Sequence, residues 1–290
     1  MPASERIPPR DLSTVSPSRS LPGARALEEP GTARLLAEGE LRVLGSLHGA
    51  SNAVFRCEVE GAGRRIDCVY KPIAGERPLW DFPHGTLAQR EVAAYEVCRA
   101  MGWELVPPTV LRDGPYGEGM CQLWIDADPE AELLALVDAE QAGPGWKAVG
   151  RAEVAEGRTA LLVHADTPGL RRMAVLDAVI NNGDRKGGHL LPTADGRLHG
   201  IDHGVAFHPE DKLRTLLWGW AGEPLPRGVT EVLGRLSLGL SGTGALADRL
   251  RELITAEETA ALRERVDRLV SSGRHPVPSG QWPAIPWPPV

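Results

Sequence analysis

Leu176-Asp177-Ala178-Val179-Ile180-Asn181-Asn182-Gly183-Asp184-Arg185-Lys186-Gly187-Gly188-His189-Leu190-Leu191, followed after a short gap by Leu198-His199-Gly200-Ile201-Asp202-His203-Gly204-Val205-Ala206-Phe207, is the stretch on which the fold turns. Two polar knots, Asn182 to Arg185 and Asp202 to Gly204, sit inside apolar sequence. Between them Ala194-Asp195-Gly196-Arg197 reads as a tight turn. Leu190-Leu191 and Leu198 to Ile201 then pair as two short strands. Such a hairpin brings Asp184 and Asp202 together at one end, and two acids so placed suit general-base work and metal binding.

This pattern resembles the catalytic core of the phosphatidylinositol 3- and 4-kinase-like superfamily: Asp-Arg, a short gap, a hairpin, then Ile-Asp-x-Gly-x-Ala-Phe. Asp184-Arg185 and Ile201 to Phe207 carry the match, and weaker matches extend it over most of residues 41–225. One position departs. Five residues after the Asp, where the family has a metal-binding Asn, stands His189. The segments Val69-Tyr70-Lys71-Pro72 and Leu79-Trp80-Asp81-Phe82-Pro83 are similar to an actinobacterial branch of that superfamily.

The resemblance implies an α+β, two-lobed, protein-kinase-like fold, with a β-rich N-lobe and a mostly helical C-lobe. The chain divides accordingly into a disordered segment 1–30, an N-lobe 31–125, a C-lobe 126–275 and a Pro/Trp-rich tail 276–290. At 290 residues it can bury a core of that size, and 42% hydrophobic with 24% charged residues is ordinary for a globular protein. A net charge of −7 argues against a general nucleic-acid binder. No apolar run is long enough for an integral membrane segment, and the N-terminus lacks the apolar core of a secretory signal. Four cysteines without CxxC spacing indicate neither zinc nor a redox pair, so the expectation is a reduced, cytoplasmic protein. Cys57 and Cys68 face each other across a hairpin as buried thiols.

From the N-terminus, a short helix spans Thr32 to Glu38, and strands span Leu41 to Leu47, Ala53 to Val59 and Arg65 to Lys71. The small residues of the 48–52 turn, Gly49, Ser51 and Asn52 among them, look like a phosphate-covering loop, since small side chains let backbone N–H groups approach phosphate. Lys71 ends the third strand on the face of Asp67 and Val69. In the next helix Leu87, Ala94, Cys98 and Met101 form a stripe with Tyr95 at its margin and Glu91 in its middle. A carboxylate there needs a cation, and Lys71 is the natural candidate. Residues 72–85 form a long insertion over the cleft, and loops of that length are often functional.

Strands at 109–112 and 120–125 follow. The second of these leads out of the first lobe through Gln122 and Trp124, where kinase-like folds supply backbone groups to adenine. From Glu130 the second lobe is expected to be helical. Thr167-Pro168 starts a helix that runs to about Asn181. Its stripe is Leu170, Met173, Leu176, Asp177 and Ile180, so Asp177 lies on an apolar face and is expected to bond backbone N–H groups of the following loop. By the resemblance Trp218 and Trp220 fall in the activation-loop region, either buried or facing an acceptor or a membrane surface. Helices are expected at 229–240, 244–254 and 255–272, the last opened by the capping box Thr255/Glu258. The tail is expected to be extended and to pack back through its tryptophans.

By the resemblance, Asp184 is the catalytic base or orients the acceptor hydroxyl, Asp202 holds a metal that bridges the phosphates, Lys71 pairs with ATP phosphates and Glu91 holds Lys71. Arg185 pairs with a carboxylate or a phosphate, and Asn182 braces the loop. His189 binds metal through nitrogen or through water, or leaves a one-metal site; imidazole suits Mn²⁺ better than Mg²⁺. The implied cofactors are ATP with Mg²⁺ or Mn²⁺. The implied activity is transfer of a phosphoryl group to a hydroxyl of a protein, a small molecule, a lipid or the enzyme itself. The rivals are a nucleotide-binding regulator without transfer activity and an adenylyl transferase on the same fold.

Overall fold

The computed structural model describes residues 31–47, 52–82, 86–138, 140–155, 158–242 and 244–288. Residues 1–30, expected to be disordered, lie outside the described residues, as do Gly49 and Ser51 of the expected phosphate loop.

The first lobe opens with helix α1 (Thr32–Glu38) and builds a five-stranded antiparallel sheet from β1 (Glu40–Ser46), β2 (Phe55–Gly61), β3 (Arg64–Pro72), β4 (Thr109–Gly114) and β5 (Gly117–Leu123), in the order β1-β2-β3-β5-β4. The hairpin pairing of β2 with β3 sets Cys57 opposite Cys68, and all four cysteines are free, buried thiols. Alternation along β3 divides its side chains between two environments. Ile66, Cys68 and Tyr70 point into a core closed by Leu35 and Leu36 of α1. Asp67, Val69 and Lys71 point to the opposite face.

Helix α2 (Leu87–Ala100) crosses between the lobes. Its start is fixed by a capping box, with Gln89 N–H donating to Thr86 Oγ1 at 3.1 Å and Thr86 N–H to Gln89 Oε1 at 3.1 Å. Burial extends beyond the expected stripe to Ala88, Arg90, Val92, Ala93 and Val97, because both lobes pack on this helix.

The second lobe does not begin as a helix. Residues after Glu130 form a three-stranded antiparallel sheet, β6 (Leu134–Val137), β7 (Trp146–Ala155) and β8 (Arg158–Ala165), in the order β6-β8-β7. Ala160 to Val163 supply consecutive buried apolar residues to the central strand of this sheet, a pattern that periodicity alone does not separate from a buried helix. Helix α3 (Pro168–Ile180) then enters the core with Thr167 as its cap and Pro168 at its first position. Leu170, Met173, Leu176 and Ile180 are fully buried, each burial contributing about 1.5–3 kcal/mol. The expected hairpin forms as β9 (Leu190–Pro192) against β10 (Leu198–Gly200). Helices α4 (Val229–Leu240), α5 (Ala245–Leu253) and α6 (Ala256–Ser272) complete the lobe. The capping box of α6 is present at Thr255 and Glu258. No helix among the described residues is long and apolar enough to cross a membrane.

The tail is irregular and packs back through Trp282 and Ala284, but not through Trp287, which is exposed. Ala284 C=O accepts from Thr215 N–H at 3.0 Å and from Trp218 Nε1 at 2.7 Å. Trp282 covers Lys212, whose ammonium lies 4.7 Å from that ring and 5.2 Å from the ring of Trp80.

Candidate active site

Lys71 is carried to the cleft by β3, and its Nζ donates to Glu91 Oε1 at 2.7 Å and to Asp202 Oδ1. Burial works against its charge, but the Asp202 and Glu91 carboxylates outweigh burial and hold its pKa above the ordinary lysine value. Glu91 spends its second oxygen on the backbone: Oε2 accepts from His203 N–H at 3.0 Å. One buried carboxylate therefore joins the strand lysine to the Asp202-His203-Gly204 turn. The turn is held close to α2, since a Cβ on Gly204 would lie 3.0 Å from Leu87 Cβ. Asp202 itself has φ 59°, a left-handed conformation that Asp and Asn tolerate better than other side chains.

The other Asp202 oxygen, Oδ2, lies 3.3 Å from His189 Nε2. His189 sits in a single 3₁₀ turn, Gly187–His189, and is almost wholly buried. That spacing suits an Nε2–H···Oδ2 hydrogen bond, with Lys186 N–H directed at His189 Nδ1 at 3.5 Å, and with Nε2 deprotonated it also suits two ligands of one octahedral ion, which at 2.0–2.1 Å stand about 3 Å apart. No three His, Cys, Asp or Glu side chains among the described residues gather around one point, so the remaining ligands of such an ion would be phosphate oxygens and water.

Asp184 stands at the mouth of the loop after α3. Its N–H donates to Asn182 Oδ1 at 3.0 Å, and its Oδ2 lies 3.1 Å from Lys186 Nζ. Burial raises its carboxyl above the usual carboxylate range; Lys186 and Arg214 oppose that rise and Asp202 adds to it. The hairpin thus places the two acids within each other's field, as the sequence suggests. Asn182 braces the loop in the expected manner, its Nδ2 donating to Asp177 Oδ1 at 3.0 Å.

Arg185 turns inward. Its side chain and that of Asp177 are both 0% exposed, with Nη2 to Oδ1 at 2.9 Å and Nε to Oδ2 at 3.1 Å. Nη1 donates to Ile201 C=O at 3.0 Å, and Nη2 lies 2.7 Å from His203 Nε2. Of the two partners expected for Arg185, the structure supplies the carboxylate. With every face engaged, the guanidinium is a brace and not a phosphate contact. The expectation for Asp177 is corrected with it: its carboxylate takes side-chain donors, Arg185, Asn182 and Thr215 Oγ1, in place of loop N–H groups. Burial beside Arg185 drives His203 well below the ordinary histidine pKa, so it is neutral.

Two expected adenine contacts are otherwise engaged. Gln122 lies mid-sheet between Val69 and Thr109, and its amide donates to Thr109 Oγ1 at 2.8 Å. Trp124 follows the strand: its backbone N–H donates to Asp67 C=O at 3.0 Å, its indole N–H to Asp126 Oδ1 at 2.9 Å, and its ring lies under the Arg56 guanidinium at 4.6 Å. Strand register accounts for Gln122, since a backbone inside a ladder has no groups left over. Asn52 Oδ1 accepts from Arg77 N–H at 2.9 Å, which ties the end of the small-residue loop to the 72–85 insertion. In that insertion Glu76 caps α2 at Leu87 and Ala88 N–H, Phe82 is buried against His208, and Trp80 is exposed.

Sequence reasoning passed over Lys186 and His203. Lys186 stands two residues from Asp184, and His203 occupies the variable position of the second motif, so both were in view without a geometry to interpret them.

No protein-family model matches the chain. Hydra Fam20, solved with sugar, shares the fold with a TM-score of 0.50 and 14% identity, over 88% of this chain and 95% of that one. A Golgi casein kinase with Mn/ADP bound aligns with a TM-score of 0.48 and 15% identity, over 83% of this chain and 74% of that one. Protein Rv2133c of Mycobacterium tuberculosis is 49% identical over 263 residues, which are 88% of this chain and 94% of that protein. The chain therefore belongs to the family of Protein Rv2133c, and it has a two-lobed, kinase-like α+β fold.

Proposed function

We propose that this protein is an ATP-dependent phosphotransferase whose catalytic loop follows the phosphatidylinositol 3-/4-kinase-like order. The observation that carries the reading is the bridge at Lys71, where one ammonium is shared by Glu91 and Asp202. On ATP binding, phosphate oxygens take the place of Asp202 Oδ1 at Lys71. Asp202 and His189 are then the residues that hold a divalent cation, Mg²⁺ or Mn²⁺, which neutralises charge on the phosphates. Asp184 orients the acceptor hydroxyl and receives its proton. The hydroxyl oxygen forms a bond to the γ-phosphorus, the bond from that phosphorus to the β,γ-bridging oxygen breaks, and ADP leaves. The raised pKa of Asp184 moves its basicity toward neutral pH, where a general base is most effective. The acceptor is a hydroxyl of a protein, small molecule or lipid, the enzyme's own included. The lobe boundary at 125/126 and a reduced, cytoplasmic setting belong to the same reading.

Purified protein incubated with labelled ATP and cell lysate, read by mass spectrometry, tests it. A product heavier by one phosphoryl group supports the kinase, and a gain of one AMP would transfer the reading to adenylyl transfer. ATP binding with no transfer under Mg²⁺ or Mn²⁺ would favour a nucleotide-binding regulator, a second reading motivated by His189 at the position of the metal-binding Asn.

A further inference from the structure

The residue beside Glu91 makes a different ion pair. Arg90 Nη2 lies 2.5 Å from Glu258 Oε1, and both side chains are buried, 2% and 6% exposed. Arg90 Nη1 also donates to Thr86 C=O at 3.2 Å, and Phe82 of the insertion covers the guanidinium at 5.0 Å. Glu258 in turn caps α6, its Oε2 accepting from Thr255 N–H at 2.8 Å. The two arms of one helical step thus serve different lobes: Glu91 reaches Lys71 on the β-sheet, and Arg90 reaches the far helix of the C-lobe.

The packing of α2 makes this attachment consequential. Its buried face is built largely from Ala88, Val92, Ala93, Ala94, Val97 and Cys98, all small side chains. With small side chains on that face, the longer groups that reach other elements take a larger part in setting the rotation of the helix about its axis: Arg90, Glu91 and the packing of Leu87 on Gly204. A buried pair with additional hydrogen bonds tolerates little displacement, since moving one partner leaves the other desolvated and unpaired.

We infer that Arg90 and Glu258 are positioning residues: their buried pair sets the rotation of α2 and so holds the Glu91 carboxylate on Lys71 and on the His203 N–H. The catalytic half of this inference rests on the phosphotransferase reading; the structural half does not.

The test uses Glu258→Gln, which keeps a capping-box side chain at that position of α6, and Arg90→Met. The double variant Arg90→Met/Glu258→Gln removes both buried charges should either single variant fail to fold. Two quantities are read: steady-state kcat and KM for ATP, and hydrogen exchange at His203 N–H relative to Leu176 N–H in the middle of α3. The expected result is a kcat lower by about 10- to 100-fold with little change in KM, and faster exchange at His203 while Leu176 is unmoved. Glu91→Gln should reproduce the kcat loss. Folded variants with wild-type His203 exchange overturn the inference, as does a kcat loss in the pair variants that Glu91→Gln fails to share. If the wild-type protein transfers no phosphate, the phosphotransferase reading falls by itself, and exchange at His203 still decides the positioning role.

Discussion

Two ion-paired centres lie on either side of the Asp202-His203-Gly204 turn. On one side Lys71 meets Glu91 and Asp202, with Lys71 and Asp202 side chains 20% and 26% exposed. On the other Arg185 meets Asp177 with no exposure at all. Both centres join a cation to carboxylate, and the uses differ. The Arg185 centre is saturated: its donors go to Asp177, to Ile201 C=O and to His203. The Lys71 centre keeps an open side, where a ligand oxygen can compete for the ammonium. Closure and saturation mark a scaffold, and shared, partly open charge marks a place where something binds.

Breaking the closed centre should have the largest effect. Arg185→Met leaves the Asp177 carboxylate buried beside neutral partners, so stability should fall by about 3–5 kcal/mol, read by urea unfolding. Breaking the open centre should cost less stability and remove activity. Lys71→Met should lower phosphate transfer by about 10²- to 10³-fold, with a smaller drop in stability than Arg185→Met, because the buried Glu91 carboxylate keeps the His203 N–H and the Asp202 carboxylate is partly exposed. A comparable loss of stability in both variants would erase the distinction between the centres.

Acid sharpens the contrast, because the closed regions hold neutral histidines. Burial, aided by Arg171, lowers His275 to about 4, and burial lowers His164, His199 and His203 in the same direction. As pH falls through the unfolded value near 6.5, the unfolded chain takes up protons that the folded histidines refuse until about 4 for His275. Stability is thus full above that unfolded value and is lost between it and the folded one. His275 alone should contribute up to about 2 kcal/mol once screening is allowed for. Unfolding midpoints at pH 7 and pH 5 measure the loss, and His275→Gln should shrink it.

A smaller effect is expected at the open centre from His189→Asn. Replacing an imidazole by an amide oxygen should shift preference from Mn²⁺ toward Mg²⁺ by several-fold, measured as the ratio of transfer rates with the two metals. The smallest concerns the tail. Trp282→Ala removes one of two rings over Lys212 and should cost about 1 kcal/mol, read as a modest drop in melting temperature.

What was legible in the sequence was what local pattern dictates. The 3.6-residue period marked α2, the Thr167 and Thr255 caps marked the starts of α3 and α6, and the paired motifs marked the β9–β10 hairpin and the approach of Asp184 to Asp202. The spacing of Glu91 on its helix called for a cation, and Lys71 is bonded to it. What stayed hidden depends on contacts between distant segments. Nothing local separates Arg185 facing a phosphate from Arg185 facing Asp177. The register that commits Gln122 to the sheet follows from β3 and β4, not from its neighbours in sequence. The β6–β8 sheet was concealed by apolar runs that suit a helix as well as a strand. Arg90 and Glu258 are 168 residues apart, and only the fold joins them.

The tail poses a question of concentration. Pro224 pairs with Arg274 in an isolated bridge, which anchors the chain just before the tail begins. From that anchor Trp282 is delivered to Lys212 over only a few residues, and a short tether of this kind holds its end at an effective concentration in the millimolar range. One aromatic contact and two hydrogen bonds to Ala284 C=O would not retain a free peptide at low concentration, yet they retain this one. Any molecule that displaces Trp282 from Lys212 must therefore compete with a ligand that is always present and never diluted, and it would expose the segment from Lys212 to Trp218 on which the tail now rests.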